Sequence, residues 1–385
     1  MLIQRDIEGE VLERLRDYTK AIIIYGARQV GKTTLCRRVL DKLGLKTLAV
    51  NADERRYVDV LSSRDSRKLL EFVEGYDVLF IDEAQRVADI GINLKILIDA
   101  KPDLRLLVTG SSSFELASSI SEPLTGRTWT YELYPIACAE LLSVWNTYEM
   151  KEHLYDRLRW GSYPELFSLP GEDAKQDYLR GLVSNYLYKD VLALGGIKSP
   201  DKIHNLLKLI AFQVGSEVSL NELGTQLDMS KETVARYLAL LEKSFVIFKL
   251  TGFSRNLRKE VTKMNKYYFY DLGVRNAVID NLHPIEHRND HGQLWENFLI
   301  SERMKYNAYR KAQSTAYFWR VYTGAEIDYI EDGGGHLNGY ELKWKQDRVR
   351  QPAAWQETYP QANWQLITQE NWLEFIANPK KKRVS

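Results

Sequence analysis

The sequence predicts an α/β fold for the first third of the chain, in which helices cover a parallel β-sheet. Four short apolar segments alternate there with segments of helical periodicity, and their apolar residues run continuously, as in strands buried on both faces. Helix starts near Lys32, Asp65 and Ile92 follow three of these segments, and Gly44 and Pro102 provide two helix ends. The candidate strands are residues 21–25, 46–50, 77–81 and 104–109.

The composition indicates an ordinary globular protein with more than one domain. A chain of 385 residues exceeds what one hydrophobic core usually serves, so about two to four domains are expected. Its 44% hydrophobic and 27% charged residues exclude a disordered or collagen-like chain. Because 53 Lys and Arg stand against 52 Asp and Glu, no overall basic excess indicates nucleic acid, and any such site must be local.

Cysteine content and hydropathy indicate a cytoplasmic protein. Cys36 and Cys138 are too few for a disulfide framework, which fits a reducing compartment. The N-terminal segment carries charges too early for a secretion signal. Apolar runs such as residues 21–25 are far too short to span a membrane. We therefore expect a soluble protein without a membrane partner.

A glycine-rich segment after the first candidate strand has the spacing of a phosphate-binding loop. Residues 26–33 match the pattern GxxxxGK[ST] between an apolar strand and a helix. Gly26 and Gly31 allow successive backbone N–H groups to point at phosphate oxygens, and the following helix adds its positive dipole end. Lys32 is expected to reach the β- and γ-phosphates, and the Thr33 hydroxyl to bind Mg²⁺. The alternative is a plain glycine turn between strand and helix. The predicted nucleotide-binding residues are Gly26, Ala27, Arg28, Gln29, Val30, Gly31, Lys32, Thr33 and Thr34.

Acidic and hydroxyl side chains end two later strands. Asp82 follows four apolar residues and could hold the Mg²⁺ water shell, and Glu83 is placed to polarise an attacking water as a general base. Thr109 and Ser111 end the next strand, where a hydroxyl could bond the γ-phosphate or the water. The alternatives are an ordinary strand end for the acids and a Ser-rich turn capping a helix around residues 114–119 for the hydroxyls.

The chain resembles the AAA+ ATPases, specifically the bacterial and archaeal branch that joins such a module to an uncharacterised C-terminal domain. The resemblance rests on GARQVGKTT, VLFIDEAQ, LLVTGSSS and LTGRTWTYELYPIACAELL, and extends to KYYFYDLGVRNAVI and to WENFL, EIDYI and YELK. It implies ATP and Mg²⁺ as ligands, and a hydroxyl strand between the loop strand and the acidic strand. It also implies Thr109 or Ser111 as the phosphate sensor.

Two further positions gain roles from this resemblance. Arg127 would be an arginine finger facing nucleotide in the same subunit or in a neighbouring one, which would make the protein a homo-oligomer. The alternative is a surface arginine. Arg5 and Asp6 resemble residues that precede the loop and line the adenine pocket.

The middle of the chain resembles a winged helix-turn-helix. Residues 137–215 are almost purely helical in pattern, and residues 216–285 combine two short helices with a hairpin-like run. Residues 231–266 hold nine Lys and Arg against three Asp and Glu, which could seat a DNA or RNA backbone. The alternative is an interdomain packing module with solvated charges. The residues expected to be exposed for nucleic acid are Lys231, Thr233, Arg236 and Tyr237.

The C-terminal region, residues 286–385, resembles the PD-(D/E)xK nuclease fold, an α/β restriction-endonuclease-like domain. Strands at residues 317–330 and 339–345 would flank a glycine turn and bring Asp328 beside Glu341 and Lys343. Asp328 and Glu341, completed by Glu296 from an upstream helix, would bind Mg²⁺, and Lys343 would stabilise charge on the reacting phosphate. Ile327 replaces the proline of the nominal signature, and E-L-K is also an ordinary ion-pair pattern.

Two functions are consistent with these features. The first is a Mg²⁺-dependent ATPase that couples nucleotide state to a C-terminal domain that binds nucleic acid, with or without cleaving it. The second is a slow ATP-controlled switch or scaffold that holds a protein partner and has an inactive nuclease fold. The expected order is an ATPase domain (1–136), a helical lid or linker (137–215), a winged-helix-like domain (216–285) and a nuclease-like domain (286–385).

Overall fold

A computed structural model describes most of the chain. The described residues are 3–17, 20–111, 124–187, 199–254, 265–345 and 349–377. The helix expected around residues 114–119 and the basic C-terminal segment PKKKRV, residues 379–384, lie outside these ranges.

The first sheet has five parallel strands in the order β2-β3-β4-β1-β5. The predicted parallel sheet is confirmed, and its three inner strands are almost completely buried. The hydroxyl-bearing β4 lies between the loop strand β1 and the acidic strand β3, as the family resemblance implied. Strand β5 was not predicted, because this edge strand is half-exposed and has no continuous apolar run. The strands are β1 (Ala21–Tyr25), β2 (Thr47–Asn51), β3 (Val78–Asp82), β4 (Arg105–Gly110) and β5 (Thr128–Glu132).

Helices pack on this sheet. The loop helix begins at Lys32 and is followed by Gly44, whose φ of 68° is the left-handed conformation common after a helix. The Asp65 side chain accepts hydrogen bonds from the first amides of a later helix. The helices are α1 (Glu8–Asp17), α2 (Lys32–Leu43), α3 (Arg55–Leu61), α4 (Ser66–Phe72) and α5 (Ile90–Ala100), with a 3₁₀ turn at Ala84–Arg86.

The described part of the following segment is helical, as its pattern predicted. Trp160 and Leu179 are buried there, and Trp160 packs closely enough on the C-terminal half that a Cβ at Gly273 would meet its carbonyl oxygen at 2.0 Å. The helices are α6 (Cys138–Leu141), α7 (Thr147–Glu152), α8 (Leu154–Trp160), α9 (Gly171–Gly181) and α10 (Pro200–Phe212), with a 3₁₀ turn at Pro164–Phe167 and a π turn at Leu182–Leu187.

A second sheet of seven strands organises the C-terminal half. Its order is β12-β11-β10-β9-β7-β8-β6, and a parallel pairing of β7 with β9 joins its two parts. The domain boundary expected at residue 285 lies between β8 and β9 in the chain, and strands from both sides of it share this sheet. The strands are β6 (Glu217–Val218), β7 (Ile247–Gly252), β8 (Asn265–Phe269), β9 (Thr315–Arg320), β10 (Glu326–Gly333), β11 (His336–Leu342) and β12 (Asn363–Ile367).

One predicted strand is wrong in this half. Residues 317–330 form two antiparallel strands, β9 and β10, because the chain turns at residues 321–325. There the Val321 N–H donates to the Ala325 carbonyl, and Gly324 has a φ of 93°, a conformation that favours glycine. A second turn, at Gly334 and Gly335, then pairs β10 with β11 and brings Asp328 beside the strand that carries Glu341.

The helices of this half cover the second sheet. They are α11 (Leu220–Leu227), α12 (Lys231–Lys243), α13 (Leu272–Val278), α14 (His291–Tyr309), α15 (Ala353–Thr358) and α16 (Trp372–Ile376), with a 3₁₀ turn at Ile285–His287. Within the described ranges, no helix combines the length and apolar character needed to cross a lipid bilayer.

Helix α14 joins the two halves of the molecule. Its Glu302 carboxylate accepts a 2.6 Å hydrogen bond from the Cys138 N–H, and its Tyr309 hydroxyl accepts a 3.1 Å bond from the Tyr134 N–H. Both acceptors reach the segment that follows the edge strand of the first sheet. The C-terminal half is therefore in direct contact with the part of the chain that carries the phosphate-binding loop.

Candidate functional site

The glycine-rich loop lies between β1 and α2, at the carboxyl edge of the first sheet. A Cβ at Gly26 would lie 2.2 Å from the Leu133 carbonyl oxygen, so the close approach of these segments requires glycine. Gly31 has a φ of 95° immediately before α2, which places the helix N-terminus directly after the loop. The buried Lys32 ammonium donates hydrogen bonds to the carbonyls of Gly26 (2.9 Å) and Ala27 (2.8 Å). The loop thus folds around its own lysine.

Three elements bring oxygen atoms together opposite the loop. Asp82 ends β3, and its Oδ2 accepts a 2.7 Å hydrogen bond from the hydroxyl of Thr33, the second residue of α2. Its Oδ1 accepts a hydrogen bond from the hydroxyl of Thr109 on β4. Hydroxyl and carboxylate oxygens are ligands that Mg²⁺ prefers, so the donor set of Thr33 and Asp82 fits this ion.

Glu83 stands next to Asp82 in an unusual backbone conformation. Its φ of 57° and ψ of 38° are left-handed, which is uncommon for a residue other than glycine. The Glu83 N–H donates to the Thr109 hydroxyl (3.3 Å), so the β4 hydroxyl contacts both acidic residues. Such a strained turn at the tip of a strand is a frequent feature of functional sites.

Gln85 connects Glu83 with the hydroxyl of Ser111. Its side-chain amide donates to Glu83 Oε2 (2.6 Å) and to Ser111 Oγ (2.9 Å), and its oxygen accepts from the Ser111 N–H (3.3 Å). Gln85 is not among the predicted site residues. Its position two residues after the general-base candidate was the available signal.

Arg5 lies behind the loop rather than at its phosphate face. Its guanidinium donates to Glu140 Oε1 (2.9 Å), to the Val30 carbonyl (2.7 Å) and to the Tyr134 carbonyl (2.6 Å), and also contacts the Tyr309 hydroxyl (3.3 Å). Arg5 also lines a cavity of about 80 Å³ beside the loop, with Ile3, Val30, Gly31, Thr34 and Pro164.

Asp6, the other residue expected at an adenine pocket, does not line this cavity. Its backbone N–H donates to Glu140 Oε1 (2.9 Å), so it shares a buried acceptor with Arg5. Of the two residues expected at an adenine pocket, only Arg5 lines the cavity beside the loop.

Arg127 does not face the nucleotide loop of its own chain. It precedes β5, and its carbonyl accepts from the N–H of Ala21, the first residue of β1, at the opposite edge of the sheet. Five strand residues separate this edge from the loop, roughly 16 Å at the usual rise per residue. Its guanidinium pairs with Asp99 near the end of α5. The same-subunit finger is therefore wrong, and a role towards a neighbouring subunit stays a prediction.

The four residues expected for a nuclease-like site lie near one another in the second sheet. Lys343 Nζ lies 2.6 Å from Glu341 Oε1 and 3.7 Å from Asp328 Oδ2. Asp328 Oδ2 accepts a 2.8 Å hydrogen bond from the Leu342 N–H, which fixes β10 to the end of β11. Burial raises the pKa of Glu341 to about 7, and the charge of Asp328 adds to this shift.

Glu296 approaches the same cluster from α14 but is held by β8. Its Oε1 accepts a 2.7 Å hydrogen bond from the Tyr268 hydroxyl and lies 3.6 Å from Lys266 Nζ. Burial raises the pKa of Glu296 to about 7, against the opposing charge of Lys266. In the part of the chain that the structure describes, no three His, Cys, Asp or Glu side chains are arranged to hold a metal ion. The expected set of Glu296, Asp328 and Glu341 does not form a metal centre in this arrangement.

The helix-turn-helix segment presents part of the expected basic surface. Lys231 and Arg236 are exposed on α12, and Thr233 is half-buried with its N–H bonded to the Ser230 cap (3.2 Å). Tyr237 is 3% exposed, which corrects its predicted exposure, because it shares the apolar stripe of α12 with Val234 and Leu238. Lys266, counted in the basic excess, is buried, and the basic residues between positions 255 and 263 lie outside the described ranges.

Comparisons with known proteins agree with this geometry in the first half. Residues 18–142 match the AAA domain family. Residues 151–284 and 291–369 match two domains of unknown function, DUF8612 and DUF4143. The DUF8612 match spans both the helical segment and the helix-turn-helix segment.

Relatives and solved structures extend the likeness over most of the chain. An uncharacterized protein of Mycobacterium tuberculosis is 28% identical over 347 residues, covering 89% of this chain and 74% of its own. An uncharacterized protein of Methanocaldococcus jannaschii is 23% identical over 320 residues, covering 78% and 69%. A Walker-type ATPase of Pyrococcus abyssi shares the fold at a TM-score of 0.51 and 17% identity, covering 72% of this chain and 96% of its own. The match of residues 18–142 to an AAA domain thus agrees with the P-loop fold of the first sheet, a fold that implies nucleotide binding.

Proposed function

We propose that this protein is a Mg²⁺-dependent ATPase whose nucleotide state controls a nucleic-acid-binding C-terminal half. The observation that carries the ATPase proposal is the convergence at the carboxyl edge of the first sheet. There the start of α2 supplies Lys32 and Thr33, the end of β3 supplies Asp82 and, directly after it, Glu83, and the Thr33 hydroxyl joins the two by its hydrogen bond to Asp82. The match of residues 18–142 to the AAA domain supports the same conclusion.

Each residue of this edge has a place in ATP hydrolysis. Lys32 leaves the loop carbonyls to bind the β- and γ-phosphates, and Thr33 and Asp82 would hold Mg²⁺, which neutralises phosphate charge when bound. Water attacks the γ-phosphorus, its proton passes to the Glu83 carboxylate, and the bond to the β-phosphate oxygen breaks to release ADP. Gln85, which also bonds the Ser111 hydroxyl, holds the Glu83 carboxylate by a hydrogen bond.

The nucleic-acid proposal rests on the helix-turn-helix and the charges that it exposes. Helices α11 and α12 meet in a tight turn, where a Cβ at Gly224 would lie 2.6 Å from the Met229 carbonyl oxygen. β6 precedes α11, β7 and β8 follow α12, and the three strands pair in the antiparallel order β6-β8-β7, the arrangement expected of a winged helix. Lys231 and Arg236 are exposed on α12, on the side away from its apolar stripe. Such a helix can lie against a phosphate backbone.

We expect nucleic acid to stimulate ATP turnover through α12. The double variant Lys231→Gln, Arg236→Gln removes two positive charges, so it should bind duplex DNA or RNA more weakly and lower the salt dependence of log K by about two. The stimulation of ATPase rate at a fixed nucleic-acid concentration should fall in parallel. Steady-state ATPase assays with and without nucleic acid, at several salt concentrations, measure both effects.

The double variant Arg67→Gln, Lys68→Gln is the matched control, because both residues are exposed on α4 of the first half. It removes the same charges and should keep the full stimulation. If neither DNA nor RNA changes the ATPase rate of the unmodified protein, the nucleic-acid role is wrong. That result would favour an ATP-controlled switch that holds a protein partner.

A nucleolytic activity is the second candidate function, and the cluster of Asp328, Glu341 and Lys343 favours it. Two acids and a lysine on adjacent strands match the chemistry of Mg²⁺-dependent phosphodiester cleavage, in which Lys343 would stabilise charge on the phosphate. Asp328→Ala should abolish Mg²⁺-dependent cleavage of DNA or RNA in a gel assay and leave ATP hydrolysis unchanged. Cleavage that survives this substitution would exclude the cluster as the nuclease site.

A further inference from the structure

Lys266 is a buried cation inside the carboxylate cluster of the second sheet. Its side chain is 2% exposed, and Nζ lies 3.6 Å from Glu296 Oε1 and 3.9 Å from Glu326 Oε1. Lysine is rarely this deeply buried unless carboxylates compensate its charge. Lys266 belongs to β8, in the helix-turn-helix half of the sheet, whereas Glu296 and Glu326 belong to α14 and β10. The lysine therefore joins the two parts of the sheet at the cluster.

Glu296 is held on this side by two further contacts. The Tyr268 hydroxyl, two residues along β8, donates a 2.7 Å hydrogen bond to Glu296 Oε1. Gly215 lies against the other oxygen, since a Cβ there would come within 2.8 Å of Glu296 Oε2. Each contact comes from the segment that precedes the nuclease-like region. Glu296 thus faces Lys266 and Tyr268 rather than joining Asp328 and Glu341 around a common point.

The carboxylates of Asp328 and Glu341 could still bind a cation. Glu341 is 7% exposed, and its Oε2 has no hydrogen-bond partner among the described residues. When all three are ionised, Glu296, Asp328 and Glu341 outnumber the two ammonium groups of Lys266 and Lys343 by one charge, while Glu326 at the rim also approaches Arg320. An unpartnered buried carboxylate oxygen is costly and indicates a missing donor or cation.

We propose that Lys266 is a positioning residue that acts as an internal counter-cation: it holds Glu296 and Glu326 towards β8 and competes with a divalent cation for the cluster. The inference rests on the nuclease-like cation site proposed above, and it explains why the described carboxylates are not arranged as a metal centre. Removing the ammonium releases Glu296 and increases the negative excess. Lys266→Met should therefore strengthen cation binding, whereas a merely structural role would weaken it.

Calorimetric titration of the full chain with Mn²⁺ tests this proposal. Lys266→Met keeps the apolar stem and should raise the Asp328-dependent Mn²⁺ affinity by about tenfold, because a unit charge within a few ångströms is removed. Lys266→Arg keeps the charge and should leave the affinity near that of the unmodified protein. Lys249→Met, on the exposed face of the neighbouring β7, is the matched control and should change nothing.

Asp328→Asn identifies the signal, since Mn²⁺ bound at the ATPase site does not depend on this residue. An equal or lower affinity in Lys266→Met would overturn the proposal while leaving the cation site intact. Absence of any Asp328-dependent Mn²⁺ binding in both proteins would remove the site itself and this inference with it. Should Lys266→Met not fold, Tyr268→Phe decides: it frees Glu296 from a hydrogen bond and should raise the affinity about threefold, and an unchanged affinity would contradict the proposal.

Discussion

Lys32→Ala is expected to abolish ATP hydrolysis and to weaken ATP binding by at least about 100-fold. The ammonium is the cation that the loop itself provides for the β- and γ-phosphates, and charge-assisted contacts to phosphate are among the strongest hydrogen bonds in proteins. In this structure the ammonium already sits among the loop carbonyls of Gly26 and Ala27. Equilibrium titration with a fluorescent ATP analogue measures the binding, and phosphate release measures turnover.

The matched control for this experiment is Lys68→Ala, which removes an exposed lysine from α4. It should bind and hydrolyse ATP as the unmodified protein does. Thermal unfolding of Lys32→Ala should stay close to the unmodified value, because the lost hydrogen bonds go to loop carbonyls that water can also reach once the side chain is removed. Unchanged ATP affinity in a folded Lys32→Ala protein would show that the phosphates bind elsewhere.

Glu83→Gln is expected to retain ATP binding and to lower kcat about 100- to 1,000-fold. The substitution keeps the shape of the side chain but removes the group that accepts the proton of the attacking water, a contribution of that order in general-base catalysis. Glu83 does not bond the loop or Thr33 in this structure, so the affinity for ATP should change less than about threefold. Single-turnover hydrolysis together with equilibrium binding separates the two quantities.

Glu71→Gln on the exposed face of α4 is the control for the loss of one carboxylate, and full activity is expected. A Glu83→Gln protein that hydrolyses ATP at the unmodified rate would refute the assignment of the base. A protein that loses both binding and turnover would instead indicate that the left-handed turn at Glu83 does not tolerate the amide.

The phosphate-binding loop and its sheet could be predicted because neighbouring residues determine them. The spacing of Gly26, Gly31 and Lys32 encodes a local backbone path, and the continuous apolar runs of β1, β3 and β4 identify strands buried on both faces. Asp82 and Thr109 could be placed at one edge because parallel strands end together. The hydrogen bond between these two side chains follows from that placement.

Other features depend on contacts between distant segments, which a sequence pattern does not contain. Arg127 lies at the wrong end of β5 for a finger in its own subunit, and its position follows from a strand that the sequence analysis missed. Tyr237 is buried because of what packs on α12, although its spacing also allowed an exposed position. Lys266 was counted as surface charge, but its partners come from a helix and a strand about 30 and 60 residues away.

The loop of residues 26–34 is proposed to bind a nucleoside triphosphate together with Mg²⁺. Calorimetric titration of the purified protein with ATP in the presence of Mg²⁺ is the decisive experiment. We expect one ATP bound per chain with micromolar affinity, and loss of this binding in Lys32→Ala. No measurable heat or affinity with ATP, GTP, CTP or UTP in a folded preparation would contradict it.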